Sequence, residues 1–208
     1  MDDETRDVPR PARRLLTGRD LALIALFAGL LAVLSMPFAI PMGPVPITLQ
    51  TLGVMLAPSI LGARRGTLAV VTFLALTFAG LPLLPGGRSG IAALLGPTGG
   101  YLVGWVAGAL VIGLLTDRLL RAGRRRYSFW WGVAANAAGG ILVVYAFGVP
   151  WTAVVTGDWT FAAITGFAVF LPGDIVKVLI ASAVAAGVHR SYPVPPAGRG
   201  TGEAEAAR

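Results

Sequence analysis

Cysteine is absent from the 208-residue chain, and histidine occurs once, at His189. Without thiols there is no disulfide framework, no cysteine nucleophile and no thiolate metal site, and a lone histidine excludes the paired-histidine spacings of zinc enzymes. Charge is scarce too. Asp, Glu, Lys and Arg together make up 13% of the residues, about half the roughly 25% of an ordinary soluble domain. Neither a GxxxxGK[ST] phosphate loop nor an HExxH pair occurs, which excludes ATP hydrolysis by the P-loop route and zincin chemistry. With no acids paired at helical spacing in its apolar part, the chain offers little for acid–base catalysis. An intramembrane enzyme is therefore the weakest of the classes open to it.

What the chain has in quantity is apolar surface: 55% of its residues are hydrophobic and its mean hydropathy is +0.75. That composition predicts an integral membrane protein. About 20 apolar residues span a ~30 Å hydrocarbon core as a helix. Hydropathy and Pro/Gly breaks predict spans near 20–36, 47–61, 66–84, 99–118, 128–149 and 166–188. The expected fold is an all-α integral membrane bundle of six transmembrane helices over residues 19–190. Charged, proline-rich tails at 1–18 and 191–208 are expected to be disordered. The N-terminus has no short apolar core ending in a cleavage site, so the first span is expected to stay.

The net charge of +7 points away from nucleic acid once the charges are located. Of the 17 Lys and Arg residues, all but Arg88 and Lys177 lie in the two tails or at their edges (Arg19, Arg190), or in the connections after spans two and four, at Arg64 and Arg65 and between Arg118 and Arg126. By the positive-inside rule that side is the cytoplasm, with both termini facing it, and the protein is a multi-pass protein of the cell membrane.

The two exceptions carry the functional argument. Lys177 and Asp174 stand three residues apart in the apolar stretch FLPGDIVKVLIASAVAAG, so they share one face of a helix. Ionised groups there cost several kcal/mol each, in order of magnitude, unless paired or used. Either they form a structural ion pair between spans, or they line a cavity that takes a polar solute. Counting ~1.5 Å per residue from the basic edge puts both in the outer part of the bilayer, level with Gln50 and Gly99. Three spans thus begin at the outer face with a Pro/Gly turn followed by polar groups: GPVPITLQT, LLGPTGGY and FLPGDIVK. Helix starts present unpaired N–H donors, which suit an anionic group. Thr48, Gln50, Thr98 and Tyr101 are the further polar residues at this level. On span one, Ala25/Gly29 and Ala28/Ala32 are small pairs four residues apart, the spacing of close helix contacts within the bundle or with another membrane subunit. Asn136, followed by Gly139 and Gly140, is expected to hydrogen-bond between helices at a tight crossing. The segment WTAVVTGDWTF is expected to be interfacial, with Trp151 and Trp159 at the aromatic belt and Asp158 solvated.

In order and spacing, PVPITLQT (44–51), LLGPTGGYLVGW (94–105) and LPGDIVK (171–177) resemble the BioY family, the biotin-specific substrate-binding subunits of energy-coupling-factor transporters. The resemblance runs from about Leu21 to His189. It implies a non-enzymatic membrane subunit that captures biotin at its outer face and needs no cofactor, ATP being used only by partner subunits. Those partners would be a membrane coupling subunit and two ATPases, which accounts for the missing phosphate loop. It implies that Asp174 meets the ureido N–H donors, that Lys177 donates to an oxygen, that Tyr101 covers the apolar body, and that Gly99 and Gly100 give close access. The loop before span two would be a lid, and Ala25, Ala28, Gly29 and Ala32 would face the coupling subunit. For Arg88, in the outer connection LLPGGRSG, the expected role of holding the carboxylate rests on its exception to the charge rule rather than on the resemblance. An ion-coupled secondary carrier for a small carboxylated solute remains the alternative, since a carboxylate on a span can couple to protons.

Overall fold

A computed structural model describes residues 16–35, 48–121 and 127–192. Most of both tails, the loop before span two and Arg124 to Arg126 lie outside the described residues. The described part is helical: α1 (Gly18–Ser35), α2 (Gln50–Phe78), α3 (Ile91–Leu95), α4 (Gly99–Arg121), α5 (Phe129–Asn136), α6 (Val144–Thr156), α7 (Trp159–Ala163) and α8 (Leu171–Ser191). π-Helical turns at Ala137–Val143 and Ile164–Phe170 join α5 to α6 and α7 to α8. Among the described residues, five helices are long and apolar enough to cross a membrane: Gly18–Ser35, Gln50–Phe78, Gly99–Leu120, Phe129–Thr156 and Trp159–Ser191.

The expected second and third spans are the two arms of α2. They meet at Gly62, whose backbone is not helical (φ 78°, ψ −175°). The arms fold back on each other so closely that a Cβ on Gly66 would overlap the Pro58 backbone. Arg64 and Arg65, expected in a connection, therefore lie inside helix. Arg65 is buried and pairs with Asp20 of α1. Asp20 also closes the start of its own helix: Thr17 N donates to Asp20 Oδ2 (2.9 Å) and Asp20 N to Thr17 Oγ1 (3.2 Å). This reciprocal cap satisfies two helix-start donors.

Two boundaries correct the sequence reading. WTAVVTGDWTF is mostly helix: α6 runs to Thr156, and only Gly157, in the left-handed conformation, and Asp158 break the chain before α7. Asp158 is exposed but caps α7, accepting from Phe161 N at 2.8 Å. The last span is also longer than expected, and FLPGDIVK is not a helix start. Pro172 lacks an N–H, and the π turn Ile164–Phe170 carries the chain into it, with Leu171 N bonded to Gly166 O. The donors that a free helix start would expose there are already used.

The bundle buries polar residues within an otherwise apolar core and exposes large apolar side chains. Ser35, Gln50, Ser59, Thr77, Thr116, Asn136 and Ser182 are buried, while Leu26, Leu142, Val154, Phe167 and Val176 are exposed. That arrangement suits lipid, where helices gain no hydrophobic drive from each other and hydrogen bonds join them. Asn136 is such a joint: Ser59 Oγ of α2 donates to its Oδ1 (3.0 Å), and its Nδ2 donates to Ser182 Oγ of α8 (3.1 Å). Asn136→Leu strands the Ser59 donor and removes the bond to Ser182, whose hydroxyl still donates to Val178 O (2.7 Å), and should lower stability by about 1–2 kcal/mol. Thermal melting in detergent checks this, with an unchanged midpoint counting against the joint.

At the end of the bundle near Gly62, Arg19 donates to Tyr192 Oη (2.9 Å) and His189 Nε2 lies 2.9 Å from Ser59 O. The start of α1 and the end of α8 therefore share one end of the molecule. The cavity described next opens at the other.

Candidate solute-binding site

The centre of the site is the helical pair Asp174 and Lys177. Three residues apart on α8, they meet at 2.8 Å and both are buried. Thr51, on the first arm of α2, bridges them: its hydroxyl donates to Asp174 Oδ1 (3.1 Å) and accepts from Lys177 Nζ (2.9 Å). On the other oxygen, Tyr145 of α6 donates to Asp174 Oδ2 at 2.7 Å. The carboxylate therefore receives three donors from three different spans. Each π turn ends just before these residues, the first before Val144 and Tyr145 and the second at Phe170. Such turns shift the helical phase and recur at functional sites.

These groups line a cavity whose empty space, open solvent at its mouth included, is about 600 Å³. Thr48, Gln50, Thr51, Arg88, Thr98, Tyr101, Asp174 and Lys177 reach it, as do the apolar Leu84, Leu102, Val144 and Phe170. Tyr101 stands edge-on to Tyr145 (ring centroids 6.2 Å apart) and to Phe170 (6.0 Å), forming an aromatic wall. Gln50 holds the end of α1, donating through Nε2 to Ser35 Oγ and accepting from Thr48 Oγ1 at 3.2 Å. Arg88 sits in the loop from Leu84 to Arg88, pinned by Nε donation to Pro85 O (3.2 Å).

Of the residues expected from sequence, Asp174, Lys177, Arg88, Thr48, Gln50 and Tyr101 come together at this cavity. Gly99 and Gly100 do not line it. A Cβ on Gly99 would strike the Leu94 carbonyl first and then Trp151, and one on Gly100 would strike Trp151 and the Phe147 carbonyl. Their smallness lets α4 approach α6, with Trp151 Nε1 donating to Gly96 O (2.9 Å) and Thr152 Oγ1 to Pro97 O (2.8 Å). The span-one stripe also divides. Ala28 is buried in the core and Ala32 packs against it, because positions 25 and 28 project in different directions round the helix. Ala25 and Gly29 remain exposed.

Sequence reasoning missed Thr51, Tyr145 and Trp105. Thr51 ends the quoted PVPITLQT motif, and hydroxyl-plus-amide density there was its signal. Tyr145 sits in an apolar run with no such mark.

An all-helical membrane bundle with a cavity in it, and a buried ion pair in the cavity wall, defines a membrane receptor or carrier for a small polar molecule. The BioY family model matches residues 9–194. Over 185 residues the chain is 44% identical to a protein of Rhizobium etli named biotin transporter BioY, covering 86% of this chain and 97% of that one. Identity to the biotin transporter BioY of Thermotoga maritima is 38%, over 80% and 94% of the two chains. Among solved structures, the S-component for biotin from an ECF-type ABC transporter superposes with a TM-score of 0.76 at 30% identity, covering 83% of this chain and 91% of that one. The chain belongs to the BioY family, whose members are multi-pass membrane transport proteins rather than enzymes.

Proposed function

We propose that the chain is the biotin-capturing subunit of an ECF-type transporter. The single observation that carries this is the meeting of Asp174, Lys177, Thr51 and Tyr145 in the wall of one cavity. Biotin offers two ureido N–H donors, one carbonyl acceptor, an apolar thioether ring and a terminal carboxylate. Asp174 accepts from the ureido N–H groups, Lys177 donates to the carbonyl, the Tyr101–Phe170 wall covers the rings, and Arg88 receives the carboxylate at the mouth. Thr48 and Gln50 hold the rim beside it. Charge-assisted hydrogen bonds of this kind are the strong ones.

The cavity end faces the exterior and both termini face the cytoplasm, in keeping with the clustering of basic residues at the opposite end. The chain takes no cofactor. A membrane coupling subunit and two ATPase subunits supply the energy, and the outward Ala25 and Gly29 of α1 present small residues to the coupling subunit.

Isothermal titration of the detergent-solubilised chain with biotin tests this reading: saturable one-site binding without any ATPase is expected, and no heat or displacement at millimolar biotin would end it. Uptake that continues without any ATPase but stops with an uncoupler would select the ion-coupled carrier instead. Arg88→Ala should weaken biotin about tenfold or more, as expected for the ~1.5–3 kcal/mol of a hydrogen bond to a charged group. Biotin methyl ester, which lacks the carboxylate, should bind the wild type and the variant alike. Equal losses for acid and ester would remove Arg88 from the carboxylate.

A further inference from the structure

Trp105 lines the cavity, is 5% exposed, and has an indole N–H with no hydrogen-bond acceptor among the described residues. An indole nitrogen only donates, and a buried donor without a partner is costly. It is also the innermost cavity-lining residue of α4, beyond Tyr101 and Leu102, as Lys177 is the innermost on α8, beyond Asp174. Trp105 stands about 18 Å of helix from Asp117, and Lys177 about 18 Å from His189, at ~1.5 Å per residue. Those two end residues bond to neighbouring parts of α2, at Ala63 and Ser59. The two donors are thus at similar depth, on the cavity floor.

The donor count points to one acceptor. Of the three N–H bonds of an ammonium, Lys177 gives one to Thr51 Oγ1 and one to Asp174 Oδ1. No other acceptor for it stands among the described residues, so one donor remains. A carbonyl oxygen has two lone pairs. Resting on the biotin reading above, we infer that Trp105 is a specificity-determining residue: its indole N–H and the remaining Lys177 N–H together hold the ureido carbonyl oxygen on the cavity floor. Arg88 takes the carboxylate at the opposite end, and the thioether sulfur, a weak acceptor, lies between the two. The site therefore selects an oxygen at this position and not merely a five-membered ring.

The test is a cycle of Trp105→Phe against three ligands, with affinities from titration calorimetry. Biotin should bind the variant about tenfold more weakly than the wild type. Dethiobiotin, which keeps the ureido carbonyl and lacks the sulfur, should show the same loss. 2-Thiobiotin, whose thiocarbonyl is a poor acceptor, should show less than a twofold loss. A loss that is equal for all three ligands means that Trp105 only packs, and a loss that vanishes with dethiobiotin assigns the N–H to sulfur; either overturns the inference. If the variant does not fold, the wild type decides. With 15N-indole labelling, one of its five tryptophan N–H resonances should move downfield with biotin and dethiobiotin and less with 2-thiobiotin, and no such shift refutes the contact. Wild-type binding of biotin is read separately, so the broader reading and this contact fail independently.

Discussion

Asp174→Asn should abolish measurable biotin heat in a titration that saturates the wild type, and should lower the melting temperature as well. Both effects follow from the three donors that converge on this carboxylate: Thr51 and Lys177 on Oδ1, Tyr145 on Oδ2. An asparagine amide has one acceptor oxygen where the carboxylate has two, and no charge. Losing charge-assisted bonds to the ureido N–H groups costs about 1.5–3 kcal/mol each, or at least tenfold in affinity. The Lys177 ammonium is left buried without its counter-charge, and breaking such a pair from one side costs about 3–5 kcal/mol of stability. A loss of binding in the single variant could therefore come from unfolding, so the double variant Asp174→Asn/Lys177→Met is decisive. Removing both charges leaves no uncompensated ion, and apolar replacements of buried pairs are often neutral or stabilising. The double variant should melt near the wild type and still fail to bind. If it melts well and keeps full affinity, the acid and the amine only join helices, and the ligand sits elsewhere.

The legible part of this molecule was written in charge. In a chain so poor in ionised groups, Asp174 and Lys177 within an apolar span had to be paired or used, and they reach one cavity with Arg88, the other exception to the charge clustering. Span count was legible for the same reason, since a hydrocarbon core fixes helix length. Tyr145 was not legible, because an aromatic residue in an apolar run reads as wall or core. Its hydroxyl acquires a role only once the π turn at Ala137–Val143 aims it at Asp174. Gly99 and Gly100 misled because a glycine records that something comes close without recording what. Here it is the Leu94 carbonyl of α3 for Gly99, and Trp151 and the α6 backbone for Gly100. The two π turns left no periodic signal, and the second, at Ile164–Phe170, continues the last span back from the expected 166 to Trp159.

Gly62→Ala should lower the melting temperature by about 5–15 °C and weaken biotin binding with it. Gly62 stands at φ 78°, ψ −175°, a region that side-chain-bearing residues enter at a cost of about 1–3 kcal/mol. A Cβ there would also overlap Asp117 Oδ1. That carboxylate accepts from Ala63 N (3.3 Å), the first free donor of the second α2 arm. Displacing it adds the loss of a helix cap, about 0.5–2 kcal/mol, and each kcal/mol moves the midpoint of a domain this size by about 2–4 °C. The effect should reach the far end of the molecule, because the first arm of α2 carries Gln50 and Thr51 to the cavity and the second leads through Leu84 to Arg88. Opening the angle at Gly62 therefore moves Thr51 relative to Arg88. Asp117→Ala separates the two contributions: it removes the cap but leaves the glycine its conformation, so it should cost stability while nearly preserving affinity. An unaltered melting curve for Gly62→Ala would mean that the arms do not turn at this residue.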